Sequence, residues 1–326
     1  MRAGRKNRRE RGAALVAALC LIVTAGVLVG SLVSISRMSA LNANGMTEWM
    51  RSQYVAEGAA ARIRFLIESD RYQFNPRRPE DVDFEEYEHD RYLADGSEHV
   101  LDYYGREIRF TITDGVSGLP FQNGSALNTL SQNRTDETLV TDAVELYRDR
   151  ISDYMDSDDT ANEDSMEEEE YENLNMKNMP RNAAPQYREE LLWIPGISEI
   201  LPVDQDGRFS LIRHFRLPTD GNWSIYSVPY SILRTRGGMT AEEAAKVLRA
   251  VKDWQINRNP MQEALDETLL PLAQRFSWTE SGYYTVRISQ TDGDQRPGAR
   301  LLFTFKSDGI GGPSSKVATF IEYFRF

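Results

Sequence analysis

The chain has 326 residues, a formal net charge of −12, a mean hydropathy of −0.52 and a single cysteine. Such a length allows one or two domains with cores of their own. The acidity works against nucleic acid and anionic membrane surfaces, and one cysteine excludes a disulfide framework. His89, His99 and His214 are the only histidines and show no ligand-like spacing, so no zinc site is expected.

The N-terminus carries the strongest signal. Arg2, Arg5, Lys6, Arg8, Arg9 and Arg11 stand against Glu10 alone, and an uncharged run of 21 residues, Ala13 to Val33, follows. As a helix that run spans about 30 Å, one hydrocarbon core. The positive-inside bias holds the N-terminus in the cytoplasm and sends the rest across the inner membrane into the periplasm, as a single-pass anchor. A secretory signal peptide has a shorter apolar core ended by small residues and loses that core. Here the processing-like feature precedes the apolar run: Arg8-Arg9-Glu10-Arg11-Gly12 before Ala13 resembles a type IV prepilin leader. The resemblance implies a prepilin peptidase cutting between Gly12 and Ala13, with methylation of the new terminus. Losing the basic block would let the helix leave the membrane and pack against neighbours.

Beyond Val33 the period stays helical. Met46, Met50 and Tyr54 recur at i, i+4, i+8, and Ala59, Ile63, Leu66 and Ile67 at i, i+4, i+7, i+8, so one helix is expected from about Ala13 to Ser69. Its apolar stripe is too short for a coiled-coil stalk of several heptads. Asn75 to Ser97 is polar, acidic and aperiodic, and reads as a loop or short helix on the surface. Glu107 to Thr113 alternates strictly and closes on Asp114-Gly115, a strand and its turn.

Residues 118–276 read as helical. Thr135 to Tyr154 aligns Leu139, Ala143, Leu146, Tyr147, Ile151 and Tyr154 on one face and runs into Asp156-Ser157-Asp158-Asp159. Eleven acids and no base lie between Ile151 and Met176. Pro185 to Ile194 predicts a helix stopped by Pro195-Gly196, and Thr240-Ala241-Glu242-Glu243 has capping-box spacing ahead of another that reaches Trp254. Tyr284, Val286 and Ile288, then Leu301, Phe303 and Phe305, then Val317 to Phe326 predict three terminal strands. One strand before the helices and three after them imply a single antiparallel sheet, since a lone strand cannot bury its apolar face.

The segment from Leu146 to Asp159, the acidic stretch ending at Tyr171, Pro180-Arg181-Asn182-Ala183 and Glu189-Glu190-Leu191-Leu192-Trp193-Ile194-Pro195-Gly196 resemble general secretion pathway protein K, the large minor pseudopilin of type II secretion. Two positions depart from that family. Ser224-Ile225-Tyr226-Ser227-Val228-Pro229 lacks the family's asparagines, and Ala13 is smaller than its usual residue. The resemblance implies an α+β, pilin-like fold: a long N-terminal helix packed on an antiparallel sheet, with a large α-helical insertion domain. It divides the chain into a leader (1–12), a transmembrane part (13–34), a first pilin-like part (35–117), the insertion (118–276) and a second pilin-like part (277–326). It implies a place at the pseudopilus tip, where the subunit helps initiate assembly and protein export, beside other minor pseudopilins and the inner-membrane secretion platform. Ala17, fifth after the cut, stands where most pilins carry a glutamate that pairs with a neighbour's amine, and this family lacks that acid.

Calcium is implied in the insertion, with Asp153, Asp156, Asp158, Asp159, Glu163 and Glu167 as the carboxylates within reach. The residues alone do not make an EF-hand: Asp156, Asp158 and Glu167 fit positions 1, 3 and 12, but Thr160 and Ala161 occupy a ligand and the turn-glycine position. A solvated acidic loop is the alternative. Leu191 to Ile197 has the look of a DNA-binding hairpin, yet Ser198 replaces its second glycine and no basic cluster follows. G-x-S-x-G, H-E-x-x-H, C-x-x-C and P-loop motifs are absent, so an enzyme is not expected. A minor pilin of a type IV pilus, of the PilX kind, shares the leader and the missing glutamate. A single-pass anchored periplasmic protein of other function shares the anchor.

Overall fold

The computed structural model describes residues 4–74, 78–82, 91–118, 137–158, 160–163, 165–201, 212–214, 216–218, 223–291, 297–307 and 320–325. Two compact units divide at Val55, one of residues 1–55 and one of residues 56–326. The first belongs to helix α1 (Gly4–Phe74), which is longer at both ends than the apolar period predicts. Its residues 13–46 are exposed throughout, and α1 is the one helix among the described residues long and apolar enough to cross a membrane.

In the second unit, the last part of α1 packs on a five-stranded antiparallel sheet with strand order β1-β2-β3-β4-β5. The strands are β1 (Asp95–Tyr103), β2 (Arg106–Asp114), β3 (Tyr283–Thr291), β4 (Pro297–Lys306) and β5 (Glu322–Arg325). Period two sends Ile108, Phe110 and Ile112, with Val286, Ile288, Phe303 and Phe305, to one face. Against it α1 buries Ala56, Ala59, Ala60, Ile63 and Ile67; of the stripe read from the sequence, Ala59, Ile63 and Ile67 are buried and Leu66 is half-buried. Small residues let helix and sheet approach. A Cβ added at Gly58 would stand 2.4 Å from the Tyr103 hydroxyl, so a larger residue there displaces that ring.

A buried ion network fixes the end of α1. Arg71 donates to Tyr284 Oη (2.7 Å), Glu280 Oε1 (2.6 Å) and the Tyr92 carbonyl (2.6 Å), and pairs with Asp70. Arg91 also reaches Asp70, at 2.6 Å. Burial pushes the Glu280 carboxyl up to about 7, against the opposing pull of Arg71, the Ala94 amide and the Tyr284 hydroxyl.

The sheet departs from expectation in one strand. The sequence predicts loop or short helix as far as Ser97, but Asp95 begins β1, which pairs with β2 across Tyr104-Gly105, both at positive φ. Two strands therefore precede the helices. The strand is an edge, and beyond Ser97 its burial never exceeds intermediate, so no apolar alternation announces it.

Between β2 and β3 lie the helical residues. Helix α2 (Glu137–Met155) buries Tyr147, Ile151 and Tyr154 of the predicted face and half-buries Leu146, while the side chains of Leu139 and Ala143 lie outside the described residues. Helix α3 (Glu168–Asn173) forms inside the acidic stretch. The helix predicted over Pro185 to Ile194 is a 3-10 turn, Arg188–Trp193, continued after Gly196 (φ +80°) by α4 (Ile197–Ile200). Pro195 denies a longer helix its ladder, and Gly196 supplies the left-handed residue that re-aims the chain. Helix α5 (Tyr230–Thr235) leads to α6 (Ala241–Asn257), where Thr240 Oγ1 accepts from Glu243 N (3.3 Å) and Glu243 Oε2 from Thr240 N (2.7 Å), the expected capping box. Short helices α7 (Met261–Ala264) and α8 (Leu270–Ala273) complete it. Among the described residues, one hydrophobic cluster runs from Tyr147 to Phe276, made of residues lying between β2 and β3.

Polar side chains join this helical block to the sheet. The buried Asp95 carboxylate accepts from Trp254 Nε1 (3.0 Å) and Arg258 Nη1 (2.6 Å) of α6 and its cap. Arg188 Nη2 meets both oxygens of Glu322 at 2.7 Å. At the neck, Asp114 accepts from Ser281 N (2.7 Å), Ser281 Oγ (2.8 Å) and Val116 N (2.9 Å).

Candidate functional site

Three of the carboxylates singled out in the sequence, Asp153, Asp156 and Asp158, gather where α2 ends. Asp153 is fully buried, on the helix's last turn, and its carboxylate accepts from the Asn162 amide N (3.0 Å) and from the Asn162 side chain. The loop is thereby folded back onto the helix that precedes it. Asp158 Oδ1 accepts from Thr160 N at 2.9 Å, a local turn. Asp156 Oδ1 is shut off from solvent with no hydrogen-bond partner, and its carboxyl is raised by burial and then by the negative charges of Asp158 and Asp153. The charge of Asp156 is thus disfavoured beside two other acids, the electrostatic condition a cation would relieve.

The other candidates are dispersed. Glu163 is exposed. Glu167 is 8% exposed and stands at the N-cap of α3, its backbone N donating to Glu170 Oε2 (3.0 Å). Asp159 lies outside the described residues. Among the described residues, no three acidic, histidine or cysteine side chains converge in a way that would hold a metal ion. The arrangement thus has the crowded charge of a cation site but not a finished cage.

Beneath the loop are groups that sequence spacing did not pick out. The Tyr171 hydroxyl is buried without a hydrogen-bond partner. Burial pushes this phenol up to about 12, with Arg150 opposing and the charges of Glu167 and Asp153 adding to the rise. Glu190, 3% exposed, accepts from Arg181 Nη1 (2.7 and 2.8 Å), Gln186 N (2.7 Å), Tyr187 N (3.0 Å) and Tyr154 Oη (3.3 Å). It ties α2 to the 3-10 turn and holds the base of the acidic loop. Its position three residues after Tyr187, ahead of an apolar run, was the available signal.

The leader residues fall within α1. Gly12 is helical in its backbone, Ala13 is exposed, and so is Ala17. Of the aromatic and methionine residues predicted to line α1, Met46, Met50 and Tyr54 are exposed, as are Trp49, Phe65 and Tyr72.

No protein-family model matches the sequence, and no curated protein is similar to it. The structure is similar to a chain of the crystal structure of the GspK-GspI-GspJ complex from the enterotoxigenic Escherichia coli type 2 secretion system. The TM-score is 0.52 at 10% identity, covering 87% of this chain and 99% of that one. At that identity the likeness is one of fold. The pilin-like α+β architecture, a long N-terminal helix on an antiparallel sheet with further helices, is common to both.

Proposed function

We propose that the chain is a minor pseudopilin at the tip of a type II secretion pseudopilus, a structural subunit and not an enzyme, which helps initiate pseudopilus assembly and protein export. The observation that carries this reading is the similarity over nearly all of both chains to a component of the GspK-GspI-GspJ complex. The basic block before a 21-residue apolar run, broken at Gly12-Ala13, supports processing by a prepilin peptidase and residence in the inner membrane until assembly. Its partners on this reading are other minor pseudopilins, resembling those of that complex, and the secretion platform in the inner membrane. Exposed Trp49, Tyr54, Phe65 and Tyr72 give α1 the apolar surface such helix packing needs. The helical block between β2 and β3 favours this reading over a type IV pilus minor pilin, because that bulk suits an end position better than a repeating shaft.

We further propose that the loop after α2 takes calcium as a structural ion, on Asp153, Asp156 and Asp158 with contributions from Asp159, Glu163 or Glu167. The raised Asp156 carboxyl beside two other acids supports it. A bound cation would supply charge neutralisation and fix the loop against α2.

Mass spectrometry tests the assignment in two steps. The membrane-extracted protein should begin at methylated Ala13, and isolated pseudopili should contain this chain in far lower amount than the major subunit, at one end. A mature chain beginning beyond Val33, or one distributed along the filament, is incompatible with the assignment.

A further inference from the structure

Where it lies on the sheet, α1 has a second apolar face. Ile63 and Ile67 are buried against the strands, and Phe65 stands two residues from each of them, which on a helix is the opposite side. Phe65 is 53% exposed there. Ala61 and Tyr72, at i−4 and i+7 from it, share this outer face and are exposed as well. A surface helix with a single buried stripe carries polar residues in those places.

The turn between β1 and β2 borders the same face. Gly58, two helical turns before Phe65, is where the Tyr103 ring rests, and a Cβ there would collide with the Tyr103 hydroxyl. Tyr104 sets its ring edge-on to Tyr103, with 4.8 Å between centroids, and is 85% exposed. Its backbone is left-handed (φ +54°) at the first position of a two-residue turn completed by Gly105 (φ +71°). Such turns favour asparagine, aspartate or glycine, because a bulky side chain is strained in that conformation. Most of the Tyr104 ring faces water, so its own fold gains little in return for the strain. A large ring held in an unfavourable conformation and displayed beside an exposed apolar helix face points to contact with another molecule.

Charge on this face narrows the choice of partner. Arg62 is exposed beside Phe65, with its guanidinium 5.4 Å from that ring's centroid, and among the described residues it meets no carboxylate. It is a free cation in a chain of net charge −12. A row of apolar side chains along a helix, bounded on one side by a ring, fits the apolar stripe of a second helix. A helix anchored by its N-terminus in the same membrane runs parallel to α1.

We propose that Ala61, Phe65 and Tyr72, with Tyr104 as a lateral stop, seat one apolar helix of another membrane-anchored subunit, parallel to α1 and carrying a carboxylate opposite Arg62. The seat presupposes the pseudopilin reading, to which it adds the face of α1 that is used, the hairpin turn that bounds it and the charge of the partner.

The test uses the full chain in its own membrane, with the photo-cross-linking residue p-benzoylphenylalanine placed at Phe65, at Tyr104 or, as a control, at Tyr187, which is 61% exposed on the helical block. Mass spectrometry of the adducts should find the labels at Phe65 and Tyr104 on one apolar N-terminal helix of the same second protein, on a face that bears Asp or Glu, and no such adduct from Tyr187. Tyr104→Asn should leave the melting temperature of the purified chain unchanged or higher, since asparagine tolerates the left-handed turn, and still lower the Phe65 adduct yield by about tenfold. Arg62→Glu should lower it similarly, and an arginine in place of the partner's acid should restore it. Adducts on a second copy of this chain or on a globular segment, the same adduct from Tyr187, an undiminished yield in either variant, or no adduct at all overturns the proposal. If the chain is nonetheless found at one end of isolated pseudopili, the pseudopilin reading stands without this seat.

Discussion

Glu190 shows how one side chain decides the stability of a segment. Burial alone would raise its carboxyl, but the Arg181 guanidinium and the Gln186 and Tyr187 amides outweigh it and hold the group below its ordinary 4.5. A depressed folded-state value means the stabilisation is fully present above the unfolded value and is lost as pH falls through the folded one. Denaturant melts of the wild type should therefore lose stability on acidification below about pH 4.5, more steeply than those of Glu190→Gln. At neutral pH that variant should be less stable by about 2 kcal/mol, because Arg181 keeps a neutral acceptor in place of a charged one. Parallel pH profiles for the two proteins would show that the Arg181 pair contributes nothing. Glu280 has the opposite sign. Its carboxyl is raised, so its contribution declines as pH rises from the unfolded value toward about 7.

At the scale of elements, the acidic loop is held at its ends by Asp153 and Glu190 and is crowded with charge between them. If calcium occupies it, thermal melts of the full chain with calcium and with chelator should differ, by about 2.7 kcal/mol of stability at a hundredfold excess over the dissociation constant. Equal melting temperatures together with no bound calcium by calorimetry would remove the ion from the account. What the sequence made legible divides along the same lines. The periodic elements were readable because period itself is the signal: the α1 stripe at Ala59, Ile63 and Ile67, the face of α2 and the β3 and β4 alternations all lie where the sequence puts them. Strand β1 was hidden because Val100 is half exposed at an edge and Asp95 is buried for a reason outside its own strand, the indole and guanidinium of Trp254 and Arg258. Glu190 had a local signal in its spacing from Tyr187, and Arg181, Gln186 and Tyr187 are its near neighbours in sequence, whereas its contact with Tyr154 and the burial of Tyr171 come from packing that no local spacing encodes.

For the whole molecule, the proposed tip position makes a demand on α1. Pilin helices packed in a filament pair a buried carboxylate with a neighbour's terminal amine, and a subunit with nothing above it has no such partner. Ala17→Glu should therefore leave the head's melting temperature unchanged while reducing recovery of this chain in isolated pseudopili, because an unpaired carboxylate in an apolar helix bundle is costly. Undiminished incorporation of the variant would contradict the tip position.

The neck at Asp114 bears on how such a chain folds. Strands β2 and β3 are immediate neighbours, with Asp114 opposite Tyr284 and Gly115 N bonded to the Tyr283 carbonyl at 2.8 Å, yet more than 160 residues separate them in sequence. Closing a flexible loop of that length costs about 4–5 kcal/mol in chain entropy before any strand contact repays it. A helical block whose core, among the described residues, is its own would offset that cost by folding first, since its two ends then stand side by side. On that order the central pairing of the pilin-like head would form after the block suspended from it.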